Sequence, residues 1–370
     1  MNTDYKIAAK SIANRIKKIL PNIIHHSQTG FMQERYIGEN IRLTHDVIKY
    51  ANDNNLKGLI MFIDFEKAFD SLDHEFMLKT LTYLNFGTDL LKWIKLFYCN
   101  AKSCMTNNGY LSSFFNIDSG TRQGCPLSPY IFIMIIEILS TIIRNSKEVV
   151  GFQLHDREVK FSAYADDVTV FLDGTRKNVE SVCKLLDYYG VASGLKVNYK
   201  KSAVLRIGPL KDTTIQFCTN KNFTWTSEGV KTLGILFLNN EAKIVESNLE
   251  TRMKEMKTVL QKWKRRNLTL LGKVTVIKML ALPILTYPLI NLPDPTADKI
   301  KSINKELYAF LWNNKPDKIA RKVVIQDIKK GGLKMTDIGN FISASKANWV
   351  KRYMNDKNKG DWKINFRNHL

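Results

Sequence analysis

The sequence predicts an α+β fold with a mostly helical C-terminal extension. Three observations predict it. Strand-like apolar runs alternate with helix-period segments up to about residue 240. Two of those runs lead directly into acidic residues: Gly58-Leu-Ile-Met-Phe-Ile63 precedes Asp64, and residues 159–172 are split at Ala165-Asp166-Asp167. Beyond residue 245 the pattern turns helical and basic. With 370 residues, 44% of them hydrophobic and 25% charged, the chain has the make-up of a globular protein with a sizeable core and two or three subdomains. The predicted division is 1–240, 241–300 and 301–370.

The elements follow in order. Residues 5–20 read as an amphipathic helix, with Ile7, Ile12, Ile16, Ile19 and Leu20 apolar and Lys10, Arg15, Lys17 and Lys18 between them; Pro21 should end it. A loop at 25–30 leads to a second helix at 39–54 and to the first acidic strand at 58–64. Ser71 or Asp73 suits the cap of the next helix, which runs to about residue 85. A helix at 88–100 precedes a strand pair at 103–118. Residues 120–129, GTRQGCPLSP, form a loop punctuated by glycine and proline before an apolar helix. The second acidic element, 159–172, suits a hairpin with its acids at the turn. A helix at 176–192 and strands at 203–207 and 231–237 complete the α+β part.

Fifty-six Lys and Arg against 35 Asp and Glu give a net charge of +21. That excess suits a polyanionic partner, with nucleic acid the first candidate. Five cysteines in no CxxC spacing (Cys99, Cys104, Cys125, Cys183, Cys218) read as reduced thiols of an intracellular protein, with no zinc site. His25 and His26 have no partner at ligand spacing and read as structural. The N-terminus does not read as a signal peptide. The apolar run from Pro129 to Ile143 is interrupted by Glu137 and Ser140 and is shorter than a span, so it reads as a buried helix with no membrane involved.

Acids at the end of a buried strand are costly unless positive charge offsets them. Divalent metal is the usual solution, since hard cations take carboxylate oxygens. Two such ions about 3.5–4 Å apart clamp the attacking and leaving oxygens of a phosphoryl transfer. Residues 62–70 and 164–167 therefore point to the palm of a nucleic-acid polymerase.

Several motifs occur here in an order that resembles the reverse transcriptases of LINE-type, non-LTR retrotransposons: FIDFEKAFD (62–70), GTRQGCPLSP (120–129), YADD (164–167), GLKVNYKKS (194–202) and KTLGILF (231–237). Residues 12–41 are similar to the family's fingers, and FLWNNKPDKIARKVV (310–324) with KKGGLKMTDI (329–338) to the segment after its thumb. The resemblance implies a right-hand polymerase of fingers, palm and thumb. It implies RNA-directed DNA polymerase activity, with an RNA template, a DNA primer, deoxynucleoside triphosphates and two Mg²⁺ ions, Mn²⁺ being a substitute.

By motif, Asp64, Asp166 and Asp167 are implied as the catalytic metal-binding carboxylates. Phe69 matches the steric gate against a ribose 2′-hydroxyl. Gln123 and Gly124 match the nucleotide-pocket loop, and Arg15 is a triphosphate contact or a solvated helix residue, with Arg35 a weaker parallel. Lys201, or its neighbours Lys196 and Lys200, matches the lysine that protonates pyrophosphate. Asp70, at a helix start, reads as a cap. The basic run 254–266, with Trp263 among its charges, suits phosphate tracking by a thumb helix. The chain begins just inside the fingers and shows neither an endonuclease nor a zinc knuckle. It is thus expected to be part of a longer polyprotein, or a truncated, inactive nucleic-acid-binding remnant, acting in the nucleus and cytoplasm. A viral RNA polymerase would share the acids but not Phe69 and the TRQG loop.

Overall fold

The computed structural model describes residues 2–98 and 100–367; Cys99, one of the thiols read as reduced, lies outside the described residues. The other four cysteines are free thiols. The chain forms two compact units, Met1–Leu233 with Lys359–Leu370, and Gly234–Asn358.

The first unit opens with helix α1 (Thr3–Ile23), whose Ala9, Ile12, Ala13, Ile16 and Leu20 are buried at helical spacing. Pro21 does not end it. The Ile24 amide donates to the Leu20 carbonyl (2.8 Å), closing the turn around the proline, and burial of Ile24 holds that turn inside the core. Helix α2 (Ile37–Asp53) precedes strand β1 (Gly58–Ile63), buried along its whole length. Next come α3 (Ala68–Ser71), α4 (His74–Tyr83) and α5 (Thr88–Tyr98). Asp73 caps α4 by accepting from the Phe76 amide (2.7 Å). The predicted strand pair is a broken ribbon, with β2 (Lys102–Ser103) paired to β5 (Phe115–Asn116) outside β3 (Thr106–Asn107) and β4 (Tyr110–Leu111).

Helix α6 (Ser128–Asn145) is the predicted apolar helix, and Ile131 to Ile136 are all buried. It and the segment Leu270–Asn291 are long and apolar enough to cross a membrane; α6 is a core helix here. A hairpin of β6 (Phe152–Leu154) and β7 (Arg157–Val159) escaped the sequence reading. The acidic hairpin is β8 (Phe161–Tyr164) with β9 (Asp167–Leu172), followed by α7 (Arg176–Ser193), β10 (Ala203–Ile207) and β11 (Thr224–Thr226). The sheet order is β11-β10-β1-β9-β8, so β1 is central and antiparallel to both neighbours. Leu59, Met61 and Ile63 of β1 share a core with α1, α4, α6 and α7. Strand alternation turns Ile60 and Phe62 to the opposite face. The segment expected as one strand at 231–237 is two, β12 (Gly229–Thr232) and β13 (Ile235–Leu238), because Leu233 and Gly234 both have positive φ.

After β13 the second unit is helical: α8 (Glu241–Lys264), α9 (Leu270–Val276), a π-turn at Ile277–Ala281, α10 (Leu282–Asn291), α11 (Ala297–Leu311), α12 (Arg321–Ile325) and α13 (Ile338–Tyr353). Leu249, Met253, Met256 and Leu260 of α8 pack with Leu285, Ile303, Leu307 and Ile338 in one core. The structure therefore has no break near residue 300, where the sequence suggested one. Lys254, Lys262, Lys264, Arg265 and Arg266 lie exposed on or just after α8. The short helix α14 (Lys363–Arg367) belongs to the first unit, where Asp361 meets His26 (3.0 Å) and Asn365 meets His155 (3.2 Å).

Candidate active site

The ladder between β1 and β9 ends at Ile63 opposite Val168, so Asp64 leaves the central strand where Asp167 enters its neighbour. In the β8–β9 hairpin Tyr164 pairs with Asp167, leaving Ala165 and Asp166 as the turn; Ala165 has φ +56°. The fold thus brings the three carboxylates predicted from sequence to one end of the sheet. Their charges feel one another. Burial, then Asp64, raises the Asp166 carboxyl above its ordinary value. Asp167 reaches solvent, yet crowding by protein, then Asp166, then Asp64 push it up to about 6.

Burial and like charge that disfavour ionised Asp166 and Asp167 are what a divalent cation offsets. Among the described residues no three His, Cys, Asp or Glu side chains form a ready-made metal cage. Mg²⁺ characteristically uses one or two carboxylates and completes its shell with water and substrate phosphates. The donors at this strand end fit that chemistry.

Asp64 is fixed mainly through backbone. Its amide donates to Ser202 Oγ (3.0 Å), its carbonyl accepts from the Asn198 amide (2.8 Å), and the Glu66 amide donates to the Lys196 carbonyl (2.8 Å). The segment 194–202 therefore lies alongside the first acidic loop. Lys196, Lys200 and Lys201 are all exposed on it, and the geometry does not single out one of them.

Phe69 is half-buried and stacks on Phe132, with ring centres 4.2 Å apart. Its carbonyl accepts from the Thr121 amide (2.6 Å), which ties the 120–129 loop to α3. Gln123 Nε2 donates to Asp70 Oδ1 (3.2 Å). Asp70 thus joins the two loops, and the capping role expected of it falls to Asp73. Gly124, exposed beside Gln123, has φ +75°, a conformation open to glycine.

The arginines sit elsewhere. Arg15 is exposed and lines a cleft of about 540 Å³ with Ile12, Ile19, Phe86 and Trp93, a wall containing none of the three carboxylates. Arg35 donates to the carbonyls of His25 (2.5 Å), Gln28 (2.6 Å) and Ile24 (2.8 Å), so its guanidinium clamps a loop instead of facing a triphosphate. Sequence reasoning missed Ser202 and the polar loop 25–30, which packs on β8; a glutamine and a glycine in a loop were the available signal.

Acids set together at the ends of neighbouring strands are the arrangement that metal-assisted phosphoryl transfer calls for. The reverse transcriptase (RNA-dependent DNA polymerase) family matches residues 1–237, and the chain belongs to that family. The Transposon TX1 uncharacterized 149 kDa protein of Xenopus laevis is 31% identical over 358 residues, 96% of this chain and 27% of that protein. The Pol polyprotein of the type-1 retrotransposable element R2 of Nasonia vitripennis is 28% identical, over 60% of this chain and 21% of its own length. The RNA-directed DNA polymerase from mobile element jockey of Drosophila funebris is 26% identical, over 76% and 31%. The chain spans about a fifth to a third of these relatives. A telomerase structure from Candida tropicalis aligns over 98% of this chain and 57% of its own, with TM-score 0.48 and 13% identity. The family resemblance read from the motifs is borne out.

Proposed function

We propose that this chain is the polymerase part of a non-LTR retrotransposon reverse transcriptase. It would extend the 3′-hydroxyl of a DNA primer with deoxynucleoside triphosphates, copying an RNA template. The observation that carries this is the meeting of Asp64, Asp166 and Asp167 at one sheet end, where burial and the neighbouring acids raise the carboxyls of Asp166 and Asp167. The three carboxylates would hold two Mg²⁺ ions, or Mn²⁺. Bound there, the cations supply charge stabilisation for the attacking oxygen and the pyrophosphate.

The chain's own residues do the rest. Phe69, held by its stack on Phe132, would close the space beneath the sugar against a 2′-hydroxyl. Gln123 and Gly124 would border the incoming nucleotide, with Gln123 steadied by Asp70. Lys201, or Lys196 or Lys200, would face the pyrophosphate. Arg15, exposed on α1 and lining a cleft with Phe86 and Trp93, would contact the triphosphate or remain a solvated helix residue. The exposed cations of α8 and the net charge of +21 suit sequence-independent contact with template–primer phosphates. Activity as part of a longer polyprotein, in the cytoplasm and at chromosomal DNA in the nucleus, follows from this reading.

The test is primer extension on poly(rA)–oligo(dT) with Mg²⁺ and dTTP, beside Asp166→Asn. Extension should occur and should vanish in the variant. Salt-dependent binding of primer–template without extension would instead make the chain a nucleic-acid-binding remnant.

A further inference from the structure

The turn that carries Asp166 is closed by the Tyr164–Asp167 pair and has a second support from outside its hairpin. Ala165 adopts a left-handed backbone, which L side chains rarely choose, and β8 is the edge of its sheet. What braces it is a buried amide 137 positions earlier in the chain. Gln28, 1% exposed, accepts at Oε1 from the Ala165 amide (2.9 Å) and donates from Nε2 to the Ala165 carbonyl (3.3 Å). One side chain thereby grips both peptide groups of the turn residue, and the second of these peptides ends in the nitrogen of Asp166.

Gln28 is itself held. Its Oε1 also accepts from the Gly30 amide (2.8 Å), and its carbonyl is clamped by Arg35 (2.6 Å). On either side of it the backbone docks on β8: the Ala163 amide donates to the Ser27 carbonyl (2.8 Å), and the Thr29 amide to the Ala163 carbonyl (2.9 Å). Asn40 Nδ2 reaches Ser162 Oγ (2.8 Å) and the Ala163 carbonyl (2.9 Å) and its Oδ1 accepts from the Thr29 hydroxyl, locking the loop to the strand. The approach is so close that a Cβ on Gly30 would lie 2.4 Å from the Ala165 nitrogen. A fully buried primary amide with both ends paired to one residue is a specific device, since an unpaired buried amide is costly.

We propose that Gln28 is a positioning residue for nucleotidyl transfer: it sets the left-handed turn at Ala165, and so the direction in which Asp166 and Asp167 present their carboxylates. This rests on the polymerase reading above, but its geometric half can be measured without activity. The residue acts through the aspartates and touches no substrate.

The experiment compares wild type, Gln28→Met, which keeps the length and removes all three side-chain hydrogen bonds, and Gln28→Glu, which keeps only an acceptor. Melting and circular dichroism check the fold. Amide hydrogen exchange at Ala165, Mn²⁺ affinity of the isolated chain by electron paramagnetic resonance, and kcat, KM and primer–template affinity are then read. Gln28→Met should lose about tenfold or more of the exchange protection at Ala165 and bind Mn²⁺ more weakly. Its kcat should fall about ten- to a hundredfold, the cost of slight misplacement of reacting groups, with primer–template affinity and dTTP KM within about threefold of wild type. Gln28→Glu should fall between the two. Unchanged exchange at Ala165, or unchanged Mn²⁺ affinity and kcat in a folded Gln28→Met, overturns the proposal. If Gln28→Met does not fold, the same readouts on Gln28→Glu decide. A wild type that shows the exchange and Mn²⁺ behaviour but extends no primer refutes the polymerase reading and leaves the brace standing.

Discussion

The two sides of the acidic patch are held by different means. Asp64 comes off a central strand with a neighbour on each edge, and its own amide and carbonyl are tied to Ser202 and Asn198. Asp166 sits on a turn at the sheet's outermost hairpin, and the turn leans on the amide of Gln28. Backbone bonds survive most substitutions, because every residue but proline supplies them. A side-chain brace is lost in one step. The turn side should therefore be sensitive to changes far away in sequence, and the strand side should tolerate them.

The largest effect should erase the contrast. Asp64→Asn and Asp166→Asn each remove a charge from the patch, whatever holds it in place. Both should lower kcat by on the order of 10²–10³ or more, the scale of losing one preorganised electrostatic group. Single-turnover extension measures it. If Asp64→Asn left the rate near wild type, the two acids would not share one site.

Next in size is Phe69→Ala, on the strand side. Loss of the ring that stacks on Phe132 should relax exclusion of ribonucleotides by about ten- to two-hundredfold, the range one shape contact commands. The ratio of kcat/KM for dTTP and UTP reads it directly. A ratio that does not move would return Phe69 to a purely packing role.

The loop that carries Gln28 holds an acid-sensitive group. His25 stands in the same loop as Gln28, its Nδ1 accepting from the Ser27 amide (3.2 Å). Burial, then His26 and Arg144, lower its pKa to about 3, against the opposing pull of Asp361; Arg35 adds to the lowering. The folded state thus keeps His25 neutral, while the unfolded chain takes up its proton near 6.5. Between those values the unfolded state binds more protons, so the stability due to this site is complete above about pH 6.5 and declines as pH falls toward 3. Between pH 7 and pH 5 the wild-type melting temperature should fall by about a few °C relative to His25→Asn, a comparison that cancels the opposite pull of the raised Asp167 carboxyl, which takes up a proton in the folded state. An equally steep slope in that variant would place the acid sensitivity elsewhere.

What could be read from sequence follows the same division. Strand β1 and the β8–β9 hairpin were legible, because apolar runs interrupted by acids have few structural meanings, and Asp73 was legible as a cap three residues before the amide it accepts. Elements of three residues, such as β6, β7 and β11, carry too short a period to be seen, and exist through pairing with neighbours. Pro21 reads as a stop only while the burial of Ile24 is unknown. Gln28 looks like a solvated loop residue, and Arg35 like a triphosphate contact or a solvated one, since nothing local says that the fold will surround them with backbone carbonyls and amides. The acids of the site were thus visible, and the brace behind them was not.

The smallest effect is the sharpest check on the contrast. Ser202 is fully buried; its Oγ accepts from the Asp64 amide and donates to the Asn198 carbonyl (2.8 Å). Ser202→Ala leaves that amide without its partner, which should cost about 1–3 kcal/mol of stability. The bond from the Asn198 amide to the Asp64 carbonyl, and the ladder of β1 with β9 and β10, do not involve the serine and remain. Asp64 should keep its direction, so kcat should stay within about threefold of wild type although the protein unfolds at lower denaturant. The pattern is the reverse of that expected for Gln28→Met, where rate falls further than stability. A kcat loss of tenfold or more in a folded Ser202→Ala would mean that the strand side, too, depends on a single side chain.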